Sequence, residues 1–220
     1  MKEKDNFIRV GLNILEERAL EKERTASFTR FICVFLSLLL LIACLRSFVF
    51  FSVQVEGSSM ENTLQNGDKL VVDKTASLYR GAVVVFKVKG IVPGETDEEK
   101  MYIKRIIGVA GDTVWSENGD VYREYKDKDG NVVTEKVDEP YAKGATYLRY
   151  SPKIDVPKTV VPENCYFLMG DNRQASFDCR FFGNDRTPKC VSSEYICGVV
   201  PELVANNKDS KILQALMRFV

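Results

Sequence analysis

The feature that most limits what this chain can become is an uncharged apolar run, Phe31–Leu45 (FICVFLSLLLLIACL), which resumes after Arg46 and continues to Val55. About 25 residues of this kind are enough for a helix to cross a bilayer core of roughly 30 Å. Arg46 stands towards the distal end, where a long side chain reaches the headgroups at far less cost than at the midplane. A cleavable leader would need small residues after the apolar core, and Arg-Ser-Phe-Val-Phe-Phe-Ser-Val-Gln-Val offers no Ala-x-Ala pattern. A single retained transmembrane helix is therefore predicted. Arg18, Lys22, Arg24 and Arg30 precede it, whereas Ser52 to Asp68 holds no lysine or arginine, so the N-terminus is expected in the cytoplasm. This divides the chain into a cytoplasmic tail (1–30), an anchor (31–52) and an extracytoplasmic domain (53–220).

Charge and residue usage then exclude several kinds of chemistry. Basic and acidic side chains number 31 each, without the basic excess that nucleic-acid binding leaves, so no nucleic-acid partner is expected. Histidine is absent, which removes Ser-His-Asp triads, Cys-His pairs and imidazole metal ligands at once. Any nucleophile must rely on another base. No two of the six cysteines form a CxxC pair, which argues against a zinc ribbon or a thioredoxin-like motif. Cys165, Cys179, Cys190 and Cys197 lie in the last third, and sequence leaves their pairing open.

Beyond the anchor, short β-branched runs alternate with Gly-Asp and Pro breaks: KLVVDK, GAVVVFKV, YIKRIIGV, DTVW, DVYREY, NVVTEKV, TVV, CYFLMG and YICGVV. No long amphipathic helix intervenes before the terminal KILQALMRFV, itself read as a short helix, so a mostly β domain of packed antiparallel sheets is expected. Residues 115–160 are more polar and carry the turn Lys128-Asp129-Gly130-Asn131, the mark of a hairpin-bearing insertion.

Three segments could carry chemistry. Glu56-Gly57-Ser58-Ser59-Met60-Glu61-Asn62-Thr63-Leu64 follows the membrane exit, although a Gly-Ser-Ser cluster on its own is ordinarily a turn. In Met101-Tyr102-Ile103-Lys104-Arg105-Ile106, alternation places Lys104 on one strand face with Tyr102 and Ile106. A solvent-facing edge lysine is the ordinary reading of that pattern. A desolvated one would lose its proton readily, and only a neutral amine can deprotonate a serine. Gly170-Asp171-Asn172-Arg173-Gln174-Ala175-Ser176-Phe177-Asp178-Cys179-Arg180 packs acids, arginines and a serine into one loop, which by itself fits a salt-bridged turn equally well.

Together, in this order and behind one transmembrane helix, the three blocks resemble the type I signal peptidases, the bacterial leader peptidase family. The resemblance extends over nearly the whole ectodomain, including GDKLVVDK from Gly67 and GVAGD from Gly108. It implies an antiparallel β fold of signal-peptidase or LexA-like type and a serine endopeptidase that removes N-terminal signal peptides through an acyl-enzyme. Ser59 would be the nucleophile and Lys104 the general base, with Ser176 orienting the amine. Arg105, Asp171, Asp178 and Arg180 would hold the site together, and the Ser59 backbone N–H would bind the oxyanion. The substrate would lie along Gln54, Val55, Glu56 and Gly57 and along Met101, Tyr102 and Ile103. Implied partners are secretory preproteins with small residues at positions −3 and −1, the lipid bilayer and, functionally, the export translocon; no metal or other cofactor is implied. Gly57 stands where some members carry an oxyanion-binding serine, as in the branch typical of Gram-positive bacteria. Asn62, Ala82, Ala110 and Cys179 also depart from the usual pattern, and a Cys179–Cys190 bridge is suggested. A non-catalytic anchored β module and a relative dedicated to a few substrates remain the alternatives.

Overall fold

In a computed structural model of the protein, described for residues 2–98, 100–150, 152–184 and 187–202, helix α1 (Lys2–Val49) comes first. It belongs to one compact unit, Met1–Phe48, and the β structure to another, Val49–Val220. Within α1, Leu20–Cys44 is long and apolar enough to cross a membrane, and its side chains are exposed. A helix of this length that is apolar on all sides fits a membrane anchor. The terminal KILQALMRFV lies outside the described residues.

The helix does not coincide with the apolar run read from the sequence. The helix runs back through the charged leader and stops at Val49, and the distal end of the apolar run, Phe50–Gln54, is strand β1. Its apolar residues alternate with polar ones: Phe51, Val53 and Val55 pack into a hydrophobic cluster, while Ser52 and Gln54 are exposed. That period of two belongs to a half-buried strand.

The β unit is built on a seven-stranded antiparallel sheet. Its strands in sequence are β1, β2 (Lys69–Asp73), β3 (Val83–Lys87), β4 (Met101–Gly108), β11 (Cys165–Met169), β12 (Val191–Ser192) and β13 (Ile196–Val200). In space they run β1-β2-β13-β3-β4-β11-β12. The central strand β3 is buried on both faces, with Val84 and Phe86 in the larger cluster and Val83 and Val85 in a second one. A second sheet, ordered β10-β5-β6-β7, combines β5 (Thr113–Glu117), β6 (Asp120–Lys126), β7 (Val132–Lys136) and β10 (Thr159–Val160). The short pair β8 (Arg149–Tyr150) and β9 (Lys153–Ile154) lies between β7 and β10 in sequence.

Two details of register place the site. Lys104 lies opposite Val84 and Arg105 opposite Val83, so these neighbours point to opposite faces of the sheet. Strand β11 pairs with β4 only from Arg105 to Gly108, with Met169 opposite Arg105. The loop that begins at Gly170 is thereby delivered beside Lys104, and the β4 edge from Met101 to Lys104 has no β11 partner.

Candidate active site

The segment after β1 is fixed by its apolar residues. Met60 and Leu64 are fully buried in the second cluster, and Leu64 N–H donates to Met60 O at 2.8 Å. Gly57 adopts φ +85°, a left-handed conformation that suits glycine, and its N–H donates to Asn66 Oδ1 at 2.9 Å. This turn presents Ser59 to Lys104, whose Nζ stands 2.8 Å from Ser59 Oγ and 2.9 Å from Ile103 O. Lys104 is 3% exposed, and burial lowers its pKa to about 8; Asp178 and, less strongly, Asp171 oppose that fall.

Two ion pairs flank the serine and lysine. Arg105 forms a fork onto Asp171, with Nε to Oδ1 at 2.9 Å and Nη2 to Oδ2 at 2.6 Å. Its Nη1 donates to Gly81 O, and its guanidinium lies over the Tyr141 ring, 3.9 Å from the centroid. Thr63 Oγ1 donates to the same Asp171 carboxylate, which ties the serine segment to the Gly170 loop. Arg180 forms the second fork, onto Asp178, and both side chains are fully buried. Burial would raise the Asp178 carboxyl, but Arg180, the Gly170 N–H and the Ser176 hydroxyl together hold it below the usual range.

Ser176 differs in detail from the sequence expectation. Its hydroxyl donates to Asp178 Oδ2 at 2.7 Å, and the hydrogen-bond partners of the Lys104 amine are Ser59 and Ile103. Its link to Lys104 therefore runs through Asp178. The suggested Cys179–Cys190 bridge is not formed, and every described cysteine is a free thiol. The buried Cys179 Sγ instead accepts the Leu168 N–H at 3.1 Å.

Ser59 and Lys104 open onto a cleft of about 880 Å³ that is also lined by Gln54, Val55, Glu56, Gly57, Met101, Tyr102 and Ile103. Ala175 and Phe177, the neighbours of Ser176, line it as well. β1 is the outermost strand of its sheet, and the Met101–Lys104 edge of β4 lacks a β11 partner, so both segments that line the cleft have an edge without a neighbouring strand. Among the described residues no group of three or more cysteine, aspartate or glutamate side chains is arranged to hold a metal ion. The sequence reading assigned no role to Thr63, Tyr141, Asn172 or Arg173. Thr63, Asn172 and Arg173 lie inside the segments it singled out, whereas nothing in the local sequence marks Tyr141.

In a chain without histidine, the cleft thus holds a serine hydroxyl against a buried amine. Comparison with known proteins gives the family: the model for signal peptidase, peptidase S26, matches residues 28–203, and the chain belongs to it. The chain is 37% identical over 171 residues to signal peptidase I of Bacillus licheniformis, an alignment covering 75% of this chain and 83% of that one. It is 36% identical over 167 residues to signal peptidase I T of Bacillus subtilis strain 168, covering 72% and 78% respectively. A crystal structure of a signal peptidase I from Enterococcus faecalis V583 covers 57% of this chain and 98% of its own at 22% identity, with a TM-score of 0.35.

Proposed function

We propose that this protein removes N-terminal signal peptides from exported preproteins, with Ser59 as nucleophile and Lys104 as general base. The observation that carries the reading is the 2.8 Å contact between Ser59 Oγ and a buried amine whose pKa is lowered to about 8. An ordinary lysine is almost wholly protonated at neutral pH and cannot accept a proton. Desolvation leaves a usable fraction neutral, and Lys104 then takes the Ser59 proton as Oγ attacks the scissile carbonyl carbon.

The carbonyl oxygen becomes an oxyanion, which the Ser59 N–H binds. Collapse of the tetrahedral intermediate breaks the C–N bond, and Lys104 returns the proton to the departing amine. The acyl-enzyme left on Ser59 is hydrolysed when Lys104 takes a proton from water, whose oxygen attacks the ester carbon; the C–Oγ bond then breaks and Lys104 returns the proton to Ser59 Oγ. Asp178 holds up the proton affinity of Lys104, and Ser176 and Arg180 fix Asp178. Arg105, Asp171 and Thr63 keep the serine segment in register with the Gly170 loop.

The substrate adds as an extended strand between Gln54–Gly57 and Met101–Ile103, where free main-chain groups supply affinity and small side chains at −1 and −3 supply specificity. The apolar helix anchors the enzyme with its N-terminus in the cytoplasm, and Ser59 follows its last residue by about ten positions. A preprotein held in the same bilayer during export then meets the site at a high effective concentration. The test is cleavage of a preprotein bearing an Ala-x-Ala site by detergent-solubilised protein, compared with Ser59→Ala and Lys104→Ala. Cleavage by the wild type, with both variants folded and inert, is the expected result; cleavage surviving in either variant would overturn the assignment.

A further inference from the structure

We infer that Asn172 is a positioning residue for the oxyanion site: it sets both backbone torsions of Ser59 and so aims the Ser59 N–H into the cleft. The inference rests on the reading of Ser59 as nucleophile. Asn172 is 7% exposed and reaches the two carbonyls on either side of the serine Cα. Its Nδ2 donates to Ser58 O at 3.1 Å, and its backbone N–H donates to Ser59 O at 3.0 Å.

A trans peptide is planar, with C=O and N–H pointing in opposite directions. Holding Ser58 O therefore fixes the direction of the Ser59 N–H, which points away from Asn172. Holding Ser59 O fixes the next peptide plane. The first plane determines φ of Ser59 and the second ψ, so one residue pins both. Among the described residues the Ser59 N–H has no acceptor within the protein, whereas the Gly57 N–H is taken by Asn66. Gly57 brings no side-chain donor of its own, so the aim of this one N–H matters more than it would in a site with two donors.

Asn172 is itself held rigidly. Its Nδ2 also donates to Glu61 Oε2 at 3.3 Å, and with two acceptors on that side the orientation of the amide is determined. Lys143 Nζ donates to the same Glu61 oxygen at 3.1 Å. Lys143 brackets Asn172 along the backbone as well: its N–H donates to Asp171 O at 2.7 Å, and its carbonyl accepts the Arg173 N–H at 3.0 Å. Buried Arg173 in turn grips Glu139 and Thr146. The polar segment 139–146 thus forms a brace behind the peptide that carries the oxyanion donor.

The test uses full-length protein in detergent and compares wild type, Asn172→Ala and Asn172→Ser. Both variants keep the backbone N–H and introduce no charge, but neither side chain reaches Ser58 O. The readouts are kcat and KM on a peptide substrate, the affinity of a substrate-like peptide aldehyde, which adds to the serine and develops an oxyanion, and the affinity of the matching peptide alcohol, which does not. A misaimed donor is expected to lower kcat by about 10- to 100-fold, with KM changed by less than about threefold. Aldehyde affinity should fall in step with kcat, alcohol affinity should hold, and the pH midpoint should stay put. Equal losses for aldehyde and alcohol, a loss confined to KM, or an unchanged kcat would each overturn the inference. If the aldehyde fails to add to Ser59 in the wild type, the reading of Ser59 as nucleophile falls instead, which separates the two failures.

Discussion

Arg180 lies along the Asp178 carboxylate with Nε 2.8 Å from one oxygen and Nη2 2.9 Å from the other, and neither side chain reaches water. The pair governs how much negative charge Lys104 experiences. An isolated carboxylate at that position would stabilise the ammonium form of Lys104, whereas a paired one leaves desolvation dominant. Arg105 and Asp171 form a second such pair, whose carboxylate acts on Lys104 less strongly than Asp178. The site sets a desolvated amine beside two acids, each paired with an arginine.

Activity should rise with pH. Burial lowers Lys104 to about 8, so its reactive neutral form is the minority at neutral pH. Where chemistry limits the rate, kcat/KM should climb about tenfold per pH unit below that midpoint and level off above it. A profile measured from pH 5 to 10 on a peptide substrate checks this, and a flat acid limb would exclude Lys104 as the base.

Lys104→Met should abolish cleavage and stabilise the fold at neutral pH. The amine titrates near 10.5 when unfolded and near 8 when folded, so below pH 8 both states are protonated and the folded one carries the full cost of a buried charge. Between about pH 8 and 10.5 the unfolded chain holds more protons, so wild-type stability rises with pH across that window. The variant should therefore gain on the order of 1–3 kcal/mol at pH 7, after the loss of two amine hydrogen bonds, and the gain should fade by pH 10.5. Denaturant unfolding at the two pH values gives the comparison.

Asp178→Asn should move the acid limb of the pH profile to lower pH. Asp178 is the strongest influence keeping the Lys104 proton on, and its removal leaves desolvation less opposed. The same change leaves the buried Arg180 without its carboxylate, which should cost about 3–5 kcal/mol of stability. Rate midpoints and melting temperatures separate the two effects. An alkaline shift would contradict the electrostatic account of Lys104.

How much of this was legible in the sequence depended on how local the signal was. Strands such as Val83–Lys87 are β-branched runs closed by turn residues, and they read directly. β1 did not, because Phe50–Val55 continues an apolar run and total hydropathy masked its alternation. Two-residue strands such as Val191–Ser192 have no periodicity to detect. Ser59 and Lys104 stood out as parts of a pattern spread over three segments. The grip of Asn172 on the two serine carbonyls depends on the bridge between Lys143 and Asn172, and Tyr141 meets Arg105 only through folding, so neither contact has a local signature.

The cysteines should prove to be thiols. Cys179 is buried, bonded to the Leu168 N–H and held well above its ordinary pKa by burial; burial also pushes Cys190 up to about 12. Thiolates react and buried thiols do not, so Cys179 and Cys190 should resist maleimide in the native protein and label on unfolding without reductant. Peptide mapping that finds a Cys179–Cys190 disulfide would contradict the structure.

Gly170→Ala should be far more damaging than Gly57→Ala, although both glycines flank the reacting groups. A Cβ on Gly170 would lie 2.2 Å from Ser176 Oγ and 2.6 Å from Ser59 O, two atoms that belong to the site itself. Relief would require the Ser59 carbonyl to leave the Asn172 N–H and the Ser176 hydroxyl to leave Asp178, so Ser59 and the surroundings of Lys104 would shift together. A Cβ on Gly57 meets nothing within 4 Å, and its only penalty is the left-handed backbone at φ +85°. That strain is worth about 1–2 kcal/mol and leaves the Ser59 contacts in place. Gly57→Ala should thus retain measurable cleavage with a modestly lower melting temperature, while Gly170→Ala should lose at least about 100-fold in kcat. The reverse ranking would mean that the approach of the Gly170 loop to Ser59 is not what holds the site in its working geometry.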